Sequence, residues 1–213
     1  SLDSRPYEPH LDSAGNPERD WGGQKVFLPW FNAGGDLGVF LGGSVAFTGY
    51  SFRHHPYTRR QSVGVGYSTR LRALRGEYHG DFVRGSGARF RLDARASGID
   101  LIRFYGIGNE TRGGPAEGFF QVLQQQFSLS PRYSFSAGRA DISFGLLGRY
   151  TKEPDRVSFA GLTRPYGFGG FGKVGPVLDI EIGKRGRALE GSKGARFQAG
   201  GSYFPKVWSV KDA

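Results

Sequence analysis

Apolar and polar residues alternate one by one along most of this chain. This period-two pattern lines the two faces of a β-strand, and a helix cannot produce it. From Asp36 onward Leu37, Val39, Leu41, Gly43, Val45 and Phe47 hold the odd positions, while the even ones are mostly small or polar, Phe40 excepted. Val63, Val65, Tyr67 and Leu71 then oppose Arg60, Ser62, Gly64, Gly66, Ser68, Arg70 and Arg72. Leu74, Gly76, Tyr78, Gly80 and Phe82 alternate with Arg75, Glu77, His79 and Asp81. The clearest case sets Ala88, Phe90, Leu92, Ala94 and Ala96 against Arg89, Arg91, Asp93, Arg95 and Ser97. Less pure versions follow near residues 119–129, 140–150, 174–182 and 195–203, with a weaker opening strand at 25–31. The pattern predicts an all-β, antiparallel chain of about nine strands with no long helix.

Between residues 36 and 98 the alternating segments run for about 11–17 residues, whereas ordinary strands average about five or six and about 9–11 tilted residues cross a bilayer. Alternation leaves two readings open. In a soluble protein the apolar faces turn inward; in an outer-membrane barrel they meet lipid, and the charged faces line a polar lumen. Strand length favours the barrel. So do glycine-rich apolar faces, which would pack poorly as a core, and aromatics near the strand ends (Tyr50, Phe52, Tyr57, Phe104, Tyr105, Tyr150, Phe204 and Trp208).

One hairpin can be registered from the residues alone. Arg-Gly-Ser-Gly at 84–87 fits a three-residue loop, with glycine free to take the left-handed position. Closing it on Arg84 and Ala88 sets Asp81 opposite Arg91, His79 opposite Asp93 and Glu77 opposite Arg95, a ladder of complementary charge. Phe82 then faces Phe90, and Tyr78 faces Ala94. A pairing of Asp81 with Arg89 would refute this register. Short connections are expected at 53–58, 85–87 and 130–132. The other end carries the long connections at 102–118 and 151–173, together with a tight turn at 72–73. Short turns are periplasmic and long loops extracellular in such barrels, so the N-terminal side is expected to be periplasmic.

Composition narrows the picture further. Glycine, at 36 of 213 residues, is more than double its usual share of about 7%, without a collagen-like period. Aromatics at 15% argue against disorder, and the absence of cysteine removes disulfides and thiolate metal sites. A net charge of +10 invites a nucleic-acid reading. Here, however, the arginines alternate with apolar residues instead of forming a block, so nucleic acid is not an expected partner. No apolar run is long enough for a transmembrane helix, and no signal peptide opens the chain.

Residues 28–68, LPWFNAGGDLGVFLGGSVAFTGYSFRHHPYTRRQSVGVGYS, resemble the bacterial surface antigen barrels, the superfamily of BamA and TamA. IRFYGIGNET at 102–111 is similar to that group's FYGxGN element, carried here by Phe104, Tyr105, Gly106, Gly108 and Asn109. Residues 174–205 resemble its D-x-R-D hairpin, with Gly-Lys-Arg-Gly at 183–186 where the acidic-basic signature is expected. The resemblance implies a larger barrel, in some members fused to a patatin-like or phosphoesterase domain, of which this chain would be the N-terminal part. Residues 1–24 would be a polar periplasmic linker and 25–213 barrel.

Candidate chemistry is sparse. Gly167–Lys173 matches a phosphate-binding glycine pattern, but a strand, not a helix, is predicted after it. His54 and His55 are adjacent, so on an extended chain they point opposite ways. Asp179 and Glu181 share a strand face, where partnering arginines explains them better than a glycosidase pair. No catalytic set, cofactor or metal is expected. The expected function is membrane anchoring, or protein or lipid assembly and export across the bacterial outer membrane. The expected partners are outer-membrane lipid, lipopolysaccharide at the rim and the barrel-assembly machinery. The alternatives are a soluble basic β-domain binding polyanions, or the anchor of a hydrolase whose catalytic domain lies elsewhere.

Overall fold

The computed structural model describes residues 11, 17, 19–52, 54–84, 87–105, 117–138, 140–153, 158–164, 169–183 and 196–205. Among these residues nine strands are formed: β1 (Gly23–Gly34), β2 (Gly38–Ser51), β3 (His54–Ser68), β4 (Ala73–Val83), β5 (Arg89–Arg103), β6 (Gln121–Ala137), β7 (Ala140–Lys152), β8 (Gly170–Gly183) and β9 (Arg196–Ser202). They make one antiparallel sheet in chain order, with β1 and β9 as its edges, so the sheet is not closed into a barrel. The all-β antiparallel architecture is the expected one. Strands β1 to β8 run for 11 to 17 residues. A short helix, α1 (Phe159–Thr163), lies in the β7–β8 connection, and a single 3-10 turn (Glu117–Phe120) leads into β6.

The hairpin of β4 and β5 has the expected register, with Glu77 opposite Arg95, His79 opposite Asp93 and Asp81 opposite Arg91. Its turn closes as the glycines require. The Arg84 N–H donates to the Ala88 carbonyl at 2.8 Å, the Gly87 N–H donates to Arg84, and Gly87 takes a φ of 79°. Two expected connections are corrected. Residues 130–132 are not a turn but the middle of β6, and the chain reverses at Gly138, which has a φ of 63°. Pro131 is tolerated there because the β6–β7 ladder skips Ser130 and Pro131, where the missing N–H would otherwise break a bond. Likewise β3 begins at His54, so most of 53–58 is strand, bent by a register shift opposite Gly49–Ser51.

The structure separates the two faces that alternation left equivalent. Val63, Val65, Phe127 and Leu129 are 49–53% exposed, whereas Ser68, Asp81, Ser97 and Ser130 on the opposite face are 0–7% exposed. Only the curvature of the sheet and the side chains on its inner side can shelter one face of a single layer. The sheltered, polar face is therefore concave and the apolar face is convex. Arg103 at the end of β5 donates to both oxygens of Asp36 in the β1–β2 turn, at 3.0 and 3.2 Å. In a flat sheet β2 and β5 would stand roughly 14 Å apart at about 4.8 Å per strand, so this pair spans a strongly curled wall.

The convex face is continuous across strands. One cross-strand row reads Phe27, Val45, Val63, Tyr78, Ala94, Leu129, Gly148, Val174. A second, nearer the short-turn end, carries Phe82, Phe90, Tyr133, Phe144 and Leu178, with ring centroids 6.2 Å apart for Phe82–Phe90 and 5.7 Å for Tyr133–Phe144. Toward the other end Phe127 packs on Tyr150. This aromatic set differs from the expected one. Tyr57 is buried on the concave side, Phe104 and Tyr105 belong to the long connections, and Trp208 lies outside the described residues.

Candidate functional site

The charged concave face is the strongest candidate site. Arg60, Asp81, Arg91 and Arg132 share one row across β3–β6; His79 and Asp93 share the next; Glu77, Arg95, Arg149 and Lys173 lie in the one beyond. The side-chain pairs do not simply follow the rungs. His79 Nδ1 bonds Asp93 across the hairpin as its register implies. Glu77 instead accepts from Arg75 on its own strand at 2.8 Å, and Arg95 donates to Asp100 at 2.6 Å. Asp81 accepts from the Tyr57 hydroxyl at 2.8 Å, and the nearest guanidinium to it is that of Arg89, at 3.8 Å. The backbone pairs Asp81 with Arg91, yet arginine side chains are long enough to choose diagonal partners, which period-two reasoning cannot rank.

Two local features make these pairs possible. The first is a β-bulge in β5, where the β5–β6 register shifts between Ser97 and Asp100. Were alternation to run unbroken through Gly98 and Ile99, Asp100 would share parity with Ala94 and Ala96 and project from the apolar side. Because the bulge takes up one residue, Asp100 turns to the concave face and reaches Arg95. The second is Gly145. Arg91 and Arg132 are directly opposed, an unfavourable like-charge contact. Arg132 leans away across β7 to Asp179 on β8 at 3.0 Å, and its path crosses Gly145. A Cβ there would lie 2.8 Å from Arg132 Cα and 3.0 Å from its Cγ, besides striking the Pro131 carbonyl. Asp179 therefore partners an arginine, as its place on the charged face implied, although which arginine was not legible.

Glycine also shapes the apolar corner of this face. Trp30 and Phe40 stack with ring centroids 6.5 Å apart over Gly42, Gly64 and Gly66, where any Cβ would collide with their rings or with backbone. Phe104 and Tyr105 join Phe119, Phe120 and Phe159 in a cluster that ties the β5–β6 connection to α1, with centroid distances of 5.1–6.0 Å. The Phe104 N–H donates to the Phe120 carbonyl at 2.8 Å, so these two residues act as packing groups. Gly106, Gly108 and Asn109 lie outside the described residues, as do the side chains of His54 and His55 and part of the glycine pattern at 167–173; its last residues belong to β8, a strand. Among the described residues no group of three His, Asp or Glu side chains could hold a metal, and no helix is long and apolar enough to cross a membrane.

Comparison of the chain with protein-family models, with curated proteins and with solved structures finds no match.

Proposed function

We propose that this curled sheet is wall of a bacterial outer-membrane β-barrel of the surface antigen type. Its role would be to anchor an attached domain or to take part in protein or lipid assembly or export. One observation carries the reading: the apolar residues face out and the charged residues face in, the reverse of a soluble domain. Among the described residues the convex positions hold Lys25, Arg59 and Lys152, all toward strand ends, and no carboxylate, while Arg103, the last residue of β5, turns across the rim to Asp36. On β7 the convex run from Ala140 to Tyr150 is uninterrupted. Its span of about 33 Å, tilted by about 40°, gives a band about 25 Å tall, the height of a membrane barrel's apolar belt. A soluble protein rarely leaves so large an apolar surface uncovered. The resemblance of residues 28–68 and 102–111 to the surface antigen barrels supports the choice of family.

The test is refolding of the urea-denatured chain with and without phosphatidylcholine vesicles. Co-flotation with the vesicles and acquisition of β-structure there are expected. A folded, monodisperse protein recovered from the aqueous phase without detergent would refute the membrane reading and favour the soluble polyanion-binding one.

A further inference from the structure

The short-turn end of the convex face carries a cationic corner. Lys25 faces outward on β1, with its ammonium 5.8 Å from the Phe47 ring centroid. Arg59 faces outward on β3 with its stem lying flat across β2: a Cβ on Gly49 would meet its Nε at 2.9 Å and its Cγ at 3.0 Å. Gly49 in turn pairs with Gly23, so two outward positions without side chains form a shallow notch beside the guanidinium. On the opposite face of the same strand end the Tyr50 hydroxyl donates to Gln24 at 3.2 Å, and the Arg19 guanidinium lies 5.2 Å from the Tyr50 ring centroid and 5.3 Å from that of Trp21, its Nε donating to the Trp21 carbonyl at 3.0 Å. Trp21 itself is 72% exposed. Across residues 19–25, 47–52 and 59–61 the single carboxylate is that of Asp20. Among the described residues neither Lys25 nor Arg59 makes an ion pair.

Cations here have a specific meaning once the convex face is read as lipid-facing, and the inference rests on that reading. A lone Lys or Arg pointing into hydrocarbon is costly, whereas one at the headgroup level next to Trp and Tyr is at home there. Held by an aromatic face and a glycine notch, these side chains are positioned before any ligand arrives. We propose that Lys25 and Arg59 form a binding site for the phosphate of an anionic glycerophospholipid. In outer-membrane barrels short turns are periplasmic; on that reading the corner lies at the inner leaflet, so the ligand would be a phospholipid and not lipopolysaccharide. Each basic residue near an anionic surface strengthens binding about fivefold. Removing Lys25 and Arg59 together should therefore weaken binding about tenfold to thirtyfold at low salt, and less as salt screens the charges.

The experiment reconstitutes the full chain and the Lys25→Gln/Arg59→Gln variant in mixed micelles. Bound phosphatidylglycerol against phosphatidylcholine is then counted by native mass spectrometry, with insertion into phosphatidylcholine vesicles measured in parallel. Insertion of both proteins, enrichment of phosphatidylglycerol on the parent, and loss of that enrichment in the variant are expected. Arg149→Gln, which removes a concave cation, should leave the enrichment unchanged. Equal binding of the two lipids overturns the site, as does an equal loss in Arg149→Gln, or a preference for lipid A that the same double variant abolishes. Failure of the parent to insert at all refutes the barrel reading itself, which the insertion measurement separates from failure of the lipid site.

Discussion

Replacing Leu146 with arginine separates a lipid-facing convex surface from a solvent-facing one. Leu146 lies in the convex run of β7 and is 51% exposed. Ala140 and Lys152 lie equally far from it along the strand, about 20 Å at about 3.3 Å per residue, and so about 15 Å in height at a tilt of about 40°. Leu146 thus lies within about 3 Å in height of the midplane of the belt from Ala140 to Tyr150, where a lipid-facing arginine costs about 2–4 kcal/mol. At the belt's edge, Ala140→Arg should cost about 0–1 kcal/mol. Were the convex face in water, both would be exposed-site substitutions with effects within about 0.5 kcal/mol. A loss of about 3 kcal/mol is more than a hundredfold in the folding equilibrium, well outside experimental scatter. Urea titration of the parent and both variants in phosphatidylcholine vesicles, followed by tryptophan fluorescence, measures the difference. A Leu146→Arg variant as stable as the parent, or no less stable than Ala140→Arg, would sink the inside-out assignment.

Three further outcomes follow from the concave face. Gly145→Ala should cost about 1–3 kcal/mol because backbone and the Arg132 stem occupy the space its Cβ needs. Gly148→Ala on the same strand, whose nearest atoms would be 3.7 and 3.8 Å away, should change the urea midpoint little; equal shifts would refute the role given to Gly145. Tyr57→Phe removes the hydroxyl that donates to Asp81, a carboxylate only 4% exposed. It should destabilise the fold by about 1–3 kcal/mol, and a neutral result in the same titration would show that this bond contributes nothing. Deleting Gly98 removes the extra residue, yet Asp100 then stands two positions after Ser97 and stays opposite Gln124 on the concave face. The yield of folded protein in vesicles should therefore change little, and a sharp fall would mean that the bulge itself, and not only the direction of Asp100, is needed for the fold.

Much of the architecture is legible along the chain because a strand's side-chain period is two. One-by-one alternation therefore declares the strands, their faces and their number whatever surrounds them. The β4–β5 register was legible as well, since the Gly85–Gly87 turn and the complementary ladder at Glu77, His79 and Asp81 agree on a single pairing. Other features depend on residues far apart in sequence. Pro131 reads as a turn until the gap in the β6–β7 ladder accommodates it, and Asp100 reads as belonging to the apolar face until the bulge rotates it. Arg132 reaches Asp179 only because Gly145 stands between them on a third strand. Above all, alternation assigns no inside. The amino-acid order by itself determined that one face is apolar and the other charged. Only the curl of the assembled sheet decided that the charged face is concave, because curvature is a property of all nine strands together and of no single one.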